Sequence, residues 1–183
     1  NVANLAIIYK DQNRKPEADK LLNLLQAQLS GDDAKTITAS YTAGVRLISD
    51  RYYAASEPFI SKARAGYLKA EGKDGQHYIM SSCNLAQTRA AKQDYAASEK
   101  VLSELKFDES GAHRLSGTPL FQCNHEFERA WEYAYSKRQF SLALKIGQKQ
   151  LEFLSSPLAC PSCAHLCLED CYKELAQTAG KLN

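Results

Sequence analysis

Four of the six cysteines lie close together near the end of the 183-residue chain, in the stretch CPSCAHLCLEDC at 160–171. Cys160 and Cys163 have the C-x₂-C spacing that supplies half of the ligands in many tetrahedral zinc sites. The two remaining ligands can be chosen in three ways. These pairs are Cys167 with Cys171, Cys167 with His165, and Cys123 with His125. The spacing therefore predicts a structural zinc site as one hypothesis for this segment.

The same cysteines also fit interpretations without a metal. Cys163, Cys167 and Cys171 follow one another at intervals of four, so they share one face of a predicted helix over 163–179. Free cysteine packs as a small hydrophobe, and a terminal helix needs an apolar face to cover the elements before it. An even number of cysteines also permits disulfides. The tetrapeptide beginning at Cys160 resembles the active site of glutaredoxins but lacks their βαβ setting, so we do not expect redox catalysis.

No other motif indicates catalysis. The chain has no nucleophile elbow, no glycine-rich phosphate loop and no pair of carboxylates in a recognisable motif. The four histidines fall in or near predicted loops, or beside cysteines; they are His77, His113, His125 and His165. We therefore expect the protein not to be an enzyme and to need no cofactor, apart from the zinc hypothesis.

Charge and hydrophobicity indicate neither a nucleic-acid partner nor a membrane span. The 23 basic and 21 acidic residues are spread along the chain and leave a net charge of +2, without a basic arm for nucleic acid. No apolar run reaches the roughly 18 residues of a membrane span. A hydrophobic fraction of 44% with 24% charged residues is typical of an ordinary globular domain.

The elements that position these residues form an internal repeat. The pentapeptide YAASE at 53–57 returns unchanged at 95–99. When the chain is aligned on these copies, two columns of small residues lie twelve positions apart: Ala6 with Ala18, Gly44 with Ser56, Ala86 with Ser98, and Trp131 with Ala143. Trp131 alone is bulky, and a one-residue change in the loop would place Ala130 there instead. Small residues in such columns allow two helix backbones to approach closely.

Each unit is predicted to be two helices, because apolar residues recur at three- and four-residue intervals. The first helices cover 2–11, 38–50, 78–91 and 126–136, and the second helices cover 16–29, 53–70, 95–106 and 140–154. We predict an all-α domain over 1–155, with repeats at about 1–31, 36–71, 76–106 and 123–155. A cysteine-rich turn and a C-terminal capping helix follow over 156–183.

The sequence pattern of the units resembles that of the tetratricopeptide repeat family. Asn4-Leu5-Ala6, followed by Tyr9 and by the segment EADKLL at 17–22, is similar to the signature of the two helices of that repeat. The spacing of the second small column, 38, 42 and 45 residues, is similar to the long kinesin-light-chain-like subtype. The resemblance covers about 1–155 and implies a right-handed α-α superhelix of four helix pairs closed by the terminal helix.

The resemblance also implies a binding surface. In the family, side chains of the first helix of each pair line a concave groove that holds a peptide or a partner helix. Asn4 and Asn84 occupy a position whose amide can donate to and accept from a peptide backbone, although both can instead join helices to each other. The positions carried over as peptide-binding residues are Asn4, Ile7, Tyr41, Val45, Asn84, Gln87, Glu128, Arg129 and Glu132.

From these features we expect a scaffold or adaptor that binds a protein or peptide partner. One alternative is a metal- or redox-responsive regulatory module that acts through the terminal cysteines. Another is a structural spacer within a longer repeat protein, with self-association through its end repeats. The chain begins at Asn1, already inside the periodic pattern, which favours a processed form or a fragment.

Overall fold

The computed structural model describes residues 2–107 and 114–182, and 78% of this part is helical, without a strand. The all-α prediction is therefore confirmed. The helices are α1 (Val2–Asp11), α2 (Lys15–Gln28), α3 (Ala34–Ser49), α4 (Tyr53–Glu71), α5 (Gln76–Ala91), α6 (Tyr95–Ser103), α7 (Thr118–Ser136), α8 (Phe140–Leu154) and α9 (Pro161–Ala179).

Most predicted helix boundaries lie within two or three residues of the observed ones, and the larger differences have local causes. Helix α3 begins four residues before the predicted position 38, because the Asp33 carboxylate accepts a hydrogen bond from the Thr36 backbone N–H at 3.0 Å and caps the helix. Helix α7 begins at Thr118, eight residues before the predicted position 126. Pro119 lies in its first turn, where the missing N–H leaves no hydrogen bond unmade.

The turn inside each helix pair has the same backbone geometry in all four pairs. One residue in each turn adopts a positive φ; these residues are Asn13, Arg51, Gln93 and Arg138, with φ of 59°, 58°, 65° and 58°. The N–H of the following residue donates to the carbonyl five positions back, at 2.8, 2.8, 3.0 and 2.9 Å. This is the Schellman arrangement, with a left-handed residue just after the helix. The four residues are 38, 42 and 45 positions apart, so the sequence repeat is also a backbone repeat.

The two small columns lie where the helices of a pair cross. Both columns are buried throughout; for example Ala6, Ala18, Ser56, Ala86 and Ser98 are all 0% exposed. In the third pair the Ser98 hydroxyl donates to the Ala86 carbonyl at 2.8 Å, which shows how closely the backbones approach. In the second pair a Cβ added at Gly44 would lie 2.5 Å from Ile60 Cδ1. The crossing thus leaves no room for a larger residue.

The fourth pair accommodates Trp131 without the expected one-residue change, so the prediction that Ala130 takes its place is wrong. Arg138 follows Trp131 by seven positions, as the corresponding turn residues follow Ala6, Gly44 and Ala86. Gly147 of α8 lies nearby: a Cβ added there would be in ordinary contact with Trp131 Cδ1 at 3.9 Å but would clash with Leu175 Cδ2 of α9 at 2.9 Å, so this glycine accommodates Leu175. The indole Nε1 donates to the Thr178 hydroxyl of α9 at 3.0 Å.

Neighbouring helices pack in sequence along the chain, in a manner consistent with a helical repeat. Besides the contacts within pairs, α4 packs on α5, α5 on α7 and α8 on α9. The first pair shares a separate apolar cluster with part of the second pair, whereas the main core runs from the second pair to α9. None of the described helices combines the length and the apolar character needed to cross a membrane.

We predict that Gly44→Ala lowers the free energy of unfolding by about 1–3 kcal/mol, because overpacking at the crossing outweighs the better helix propensity of alanine. Ile60→Val removes the Cδ1 atom nearest to the added methyl group. The cost of Gly44→Ala should therefore be smaller in the Ile60→Val background. Urea unfolding of the four proteins of this double-mutant cycle measures the difference, and additive effects would contradict the proposed close approach.

We predict that Gln93→Gly raises the free energy of unfolding by about 0.5–1 kcal/mol, because glycine adopts a positive φ without steric cost. Asn13→Gly at the same turn position is the matched control. Asparagine tolerates the left-handed region better than glutamine does, so the control should gain less. Thermal unfolding compares the two, and a loss of stability in Gln93→Gly would contradict the assigned turn.

Candidate functional site

The nine predicted peptide-binding residues differ widely in exposure. Ile7, Asn84 and Gln87 are buried, at 4%, 1% and 7% exposed. Asn4 and Glu132 are exposed. The remaining four, Tyr41, Val45, Glu128 and Arg129, are half-buried. The first helices of the four pairs therefore do not present these residues as one continuous open surface.

The two asparagines make contacts between helices. The Asn4 side-chain carbonyl accepts a hydrogen bond from Arg46 Nε of α3 at 3.1 Å. Asn84 Nδ2 of α5 donates to the Tyr41 hydroxyl of α3 at 3.2 Å and to the Met80 carbonyl at 3.0 Å. Both asparagines thus connect consecutive helix pairs.

A buried polar cluster surrounds Asn84. Burial raises the pKa of Glu126 in α7, an effect opposed by Arg129, His125 and Asn84. Burial also raises the pKa of the Tyr41 hydroxyl and of the Cys83 and Cys123 thiols. The Tyr41 hydroxyl and the two thiols therefore remain protonated at neutral pH, and the thiols are poor nucleophiles.

Three of the predicted residues, Gln87, Arg129 and Glu132, line one cleft of about 390 Å³. We call it the turn cleft, because residues of the turns after α3 and α7 complete it. Its other lining residues are Arg51, Tyr53, Tyr133, Ser136 and Lys137. The second, third and fourth helix pairs all contribute, so the cleft exists only in the assembled fold.

The groups in the turn cleft are mostly polar. Tyr53 and Tyr133 form one wall and meet edge to face, with ring centroids 5.4 Å apart. Arg51 lies at the left-handed position of its turn, and Lys137 precedes the corresponding residue of the fourth pair. Arg129 Nη1 lies 3.4 Å from Glu126 Oε2. The arrangement can bind polar groups, and it contains no nucleophile paired with a base.

Five residues that line the cleft were not among the predicted peptide-binding residues. They are Arg51, Tyr53, Tyr133, Ser136 and Lys137. A usable signal was present in the turns: the segments SDR at 49–51 and SKR at 136–138 align, and each begins with a serine and ends with an arginine. Aligning the turns as well as the helices would have marked part of this set.

The cysteines form no metal site in the part of the chain that the structure describes. There, no group of three or more His, Cys, Asp or Glu side chains is arranged to hold a metal ion. The structure therefore gives the zinc hypothesis no support at Cys160, Cys163, Cys167 or Cys171, nor at the alternatives Cys123, His125 and His165. His113 lies outside the described residues.

All six cysteines are free thiols, so the disulfide alternative is also without support. Cys167 and Cys171 are buried, at 6% and 0% exposed, and Cys171 Sγ donates to the Gly147 carbonyl of α8 at 3.6 Å. The predicted shared face of α9 thus packs on the last helix pair. Cys160 differs: the Ser162 hydroxyl and the Cys163 backbone N–H lower the pKa of its thiol.

An acidic cluster lies where α7 and α9 meet. Burial, reinforced by Glu128, Glu132 and Asp170, raises the pKa of Glu174 to about 7. The Oε2 atom of Glu174 is buried without a hydrogen-bond partner among the described residues. Ionisation of this carboxyl group is therefore unfavourable in the folded protein.

Comparisons with known proteins do not assign the chain to a family. No protein-family model matches this sequence, and a search of curated proteins finds no significant relative.

We predict that Glu174→Gln stabilises the protein at pH 8 and has little effect at pH 4. A raised folded-state pKa makes the wild-type protein lose stability as pH rises from about 4.5 to about 7, whereas glutamine stays neutral. We expect about 1–2 kcal/mol, because solvent screens this partly exposed group. Thermal unfolding between pH 4 and 8 measures the effect, with the exposed Glu169→Gln as control. Equal effects of Glu174→Gln at both pH values would contradict the assignment.

Proposed function

We propose that this protein is a helical-repeat interaction module that binds a peptide segment of a partner protein in the turn cleft. The observation that carries the proposal is the convergence of Gln87, Arg129 and Glu132 in one cleft shared by three helix pairs. A cleft of about 390 Å³ lies within the usual range for binding sites. Binding there requires no catalytic group and no cofactor.

We further propose that the four pairs form a right-handed superhelix of the tetratricopeptide type. Three features support this assignment: the spacing of 38 to 45 residues, the Schellman turn shared by all pairs, and the buried small columns. An array of helix pairs buries its apolar faces only by stacking, and it leaves surfaces between pairs that bind other proteins.

A second candidate function is a spacer within a longer array, or self-association through the first pair. Leu5, Ile8 and Leu24 are 41%, 49% and 52% exposed on α1 and α2. The positions that correspond to Leu5 in the other pairs, Ala43, Leu85 and Ala130, are all buried. The exposed face of the first pair would accept a further helix pair in the same way.

We predict that Ser136→Trp weakens partner binding about tenfold, which corresponds to about 1.4 kcal/mol. Ser136 is exposed at the edge of the turn cleft, so the indole would fill the cleft without entering the core. The measurement is capture of proteins from native extract on the immobilised protein, followed by titration of the captured protein.

Ser49→Trp is the matched control. Ser49 lies two residues before its left-handed turn residue, as Ser136 does, and both hydroxyls donate to a carbonyl of their own helix. Ser49→Trp should bind like the wild type. Equal binding by both variants, with both folded by circular dichroism, would contradict binding in the turn cleft.

A further inference from the structure

We propose that the turn cleft recognises an acidic segment, in which carboxylate side chains of the partner contact Arg51, Arg129 and Lys137. This inference rests on the proposed function and adds the chemistry of the partner to it. Three features of the cleft support it: the Gln87 amide, which has no hydrogen-bond partner in the described residues, two cations without ion pairs there, and a wall of two tyrosines.

The Gln87 amide is available to a ligand. The Gln87 side chain makes no hydrogen bond within the described part of the chain, although the residue is only 7% exposed. Its amide atoms are not among the fully buried polar atoms without a partner, so they are open to the cleft that they line. A ligand oxygen atom in the cleft would accept a hydrogen bond from the Gln87 N–H group.

The cations of the cleft exceed its carboxylates. Arg51 and Lys137 form no ion pair with any residue in 2–107 or 114–182. Arg129 is near the buried Glu126, and Glu132 is the one carboxylate among the lining residues. The whole chain carries a net charge of only +2, so this excess is local to the cleft.

Arg51 and Arg129 both influence the same part of the cleft, near the Tyr53 hydroxyl. Burial raises the pKa of the Tyr53 hydroxyl, and both guanidinium groups oppose this increase, so both lie within electrostatic reach of that hydroxyl. Lys137 Nζ lies 5.9 Å from the centroid of the Tyr133 ring. All three cations are therefore near the two tyrosines.

This set of groups matches carboxylates along an extended segment. A guanidinium group can hold a carboxylate through two parallel hydrogen bonds, and the lysine adds a compact charge. The tyrosine rings supply contact area for the aliphatic part of a glutamate side chain. A neutral or basic segment would leave the cations without partners and is therefore disfavoured.

The test is fluorescence anisotropy with fluorescein-labelled hexaglutamate as the probe and labelled hexaglutamine as the uncharged comparison. We expect hexaglutamate to bind and hexaglutamine not to bind. Arg51→Gln should weaken binding about 3- to 10-fold, since a charge-assisted hydrogen bond is lost. Gln87→Met should weaken it about fivefold through loss of the amide.

Arg138→Gln is the matched control, because Arg138 has the same turn position and charge as Arg51 but lies outside the turn cleft. Glutamine is tolerated there, as Gln93 shows. The control should bind hexaglutamate within about twofold of the wild type, since an exposed charge outside the cleft makes no direct contact there and is screened by solvent and salt. An equal loss in both arginine variants would indicate non-specific attraction and overturn the proposal.

Two further results are decisive. Tighter binding of a phosphoserine peptide than of hexaglutamate would overturn the assignment to carboxylates. Partner capture that is lost in Ser136→Trp, together with no binding of hexaglutamate, would overturn acidic recognition and leave the proposed function intact. Failure of both partner capture and hexaglutamate binding would overturn both.

Discussion

The close approach of two helices within each pair is the constraint on which the rest of the structure depends. The left-handed turn residue sets where the second helix begins, and the small residue five positions later lies at the helix crossing. A positive φ is costly for residues such as Gln93 and Arg138, yet the hydrogen bonds of the Schellman turn and the buried crossing keep it in place. The turn therefore positions the crossing, and the packing at the crossing stabilises the turn.

Close packing makes the small residues at these contacts necessary. In the second pair Gly44 of the first helix lies against Ile60 of the second, and an added Cβ would clash at 2.5 Å. In the last pair Gly147 of α8 gives the same close approach to Leu175 of α9, where an added Cβ would lie at 2.9 Å. The Trp131 indole also donates to Thr178 of α9, so both helices of the fourth pair hold the terminal helix.

The location of the candidate site follows from this geometry. Helix α5 packs against α4, α6 and α7, so residues 81–88 are buried and Asn84 joins helices instead of facing solvent. The polar groups that remain accessible lie near the turns, where Arg51 and Lys137 are held beside the start of α4 and the end of α7. The turn that closes each pair thus also places the charges of the cleft.

The sequence by itself determined the helices, the four pairs and their crossing columns, because the periodicity of apolar residues and the spacing of small residues are local properties. It also indicated Gln87, Arg129 and Glu132, which the structure brings into one cleft. Only the tertiary structure decided that Asn84 is buried, that the Trp131 indole donates to Thr178 of α9, and that Arg51 and Lys137, 86 positions apart in the chain, line the same cleft. These facts depend on how consecutive pairs stack, and stacking is set by contacts between residues far apart in the chain, which no local pattern records.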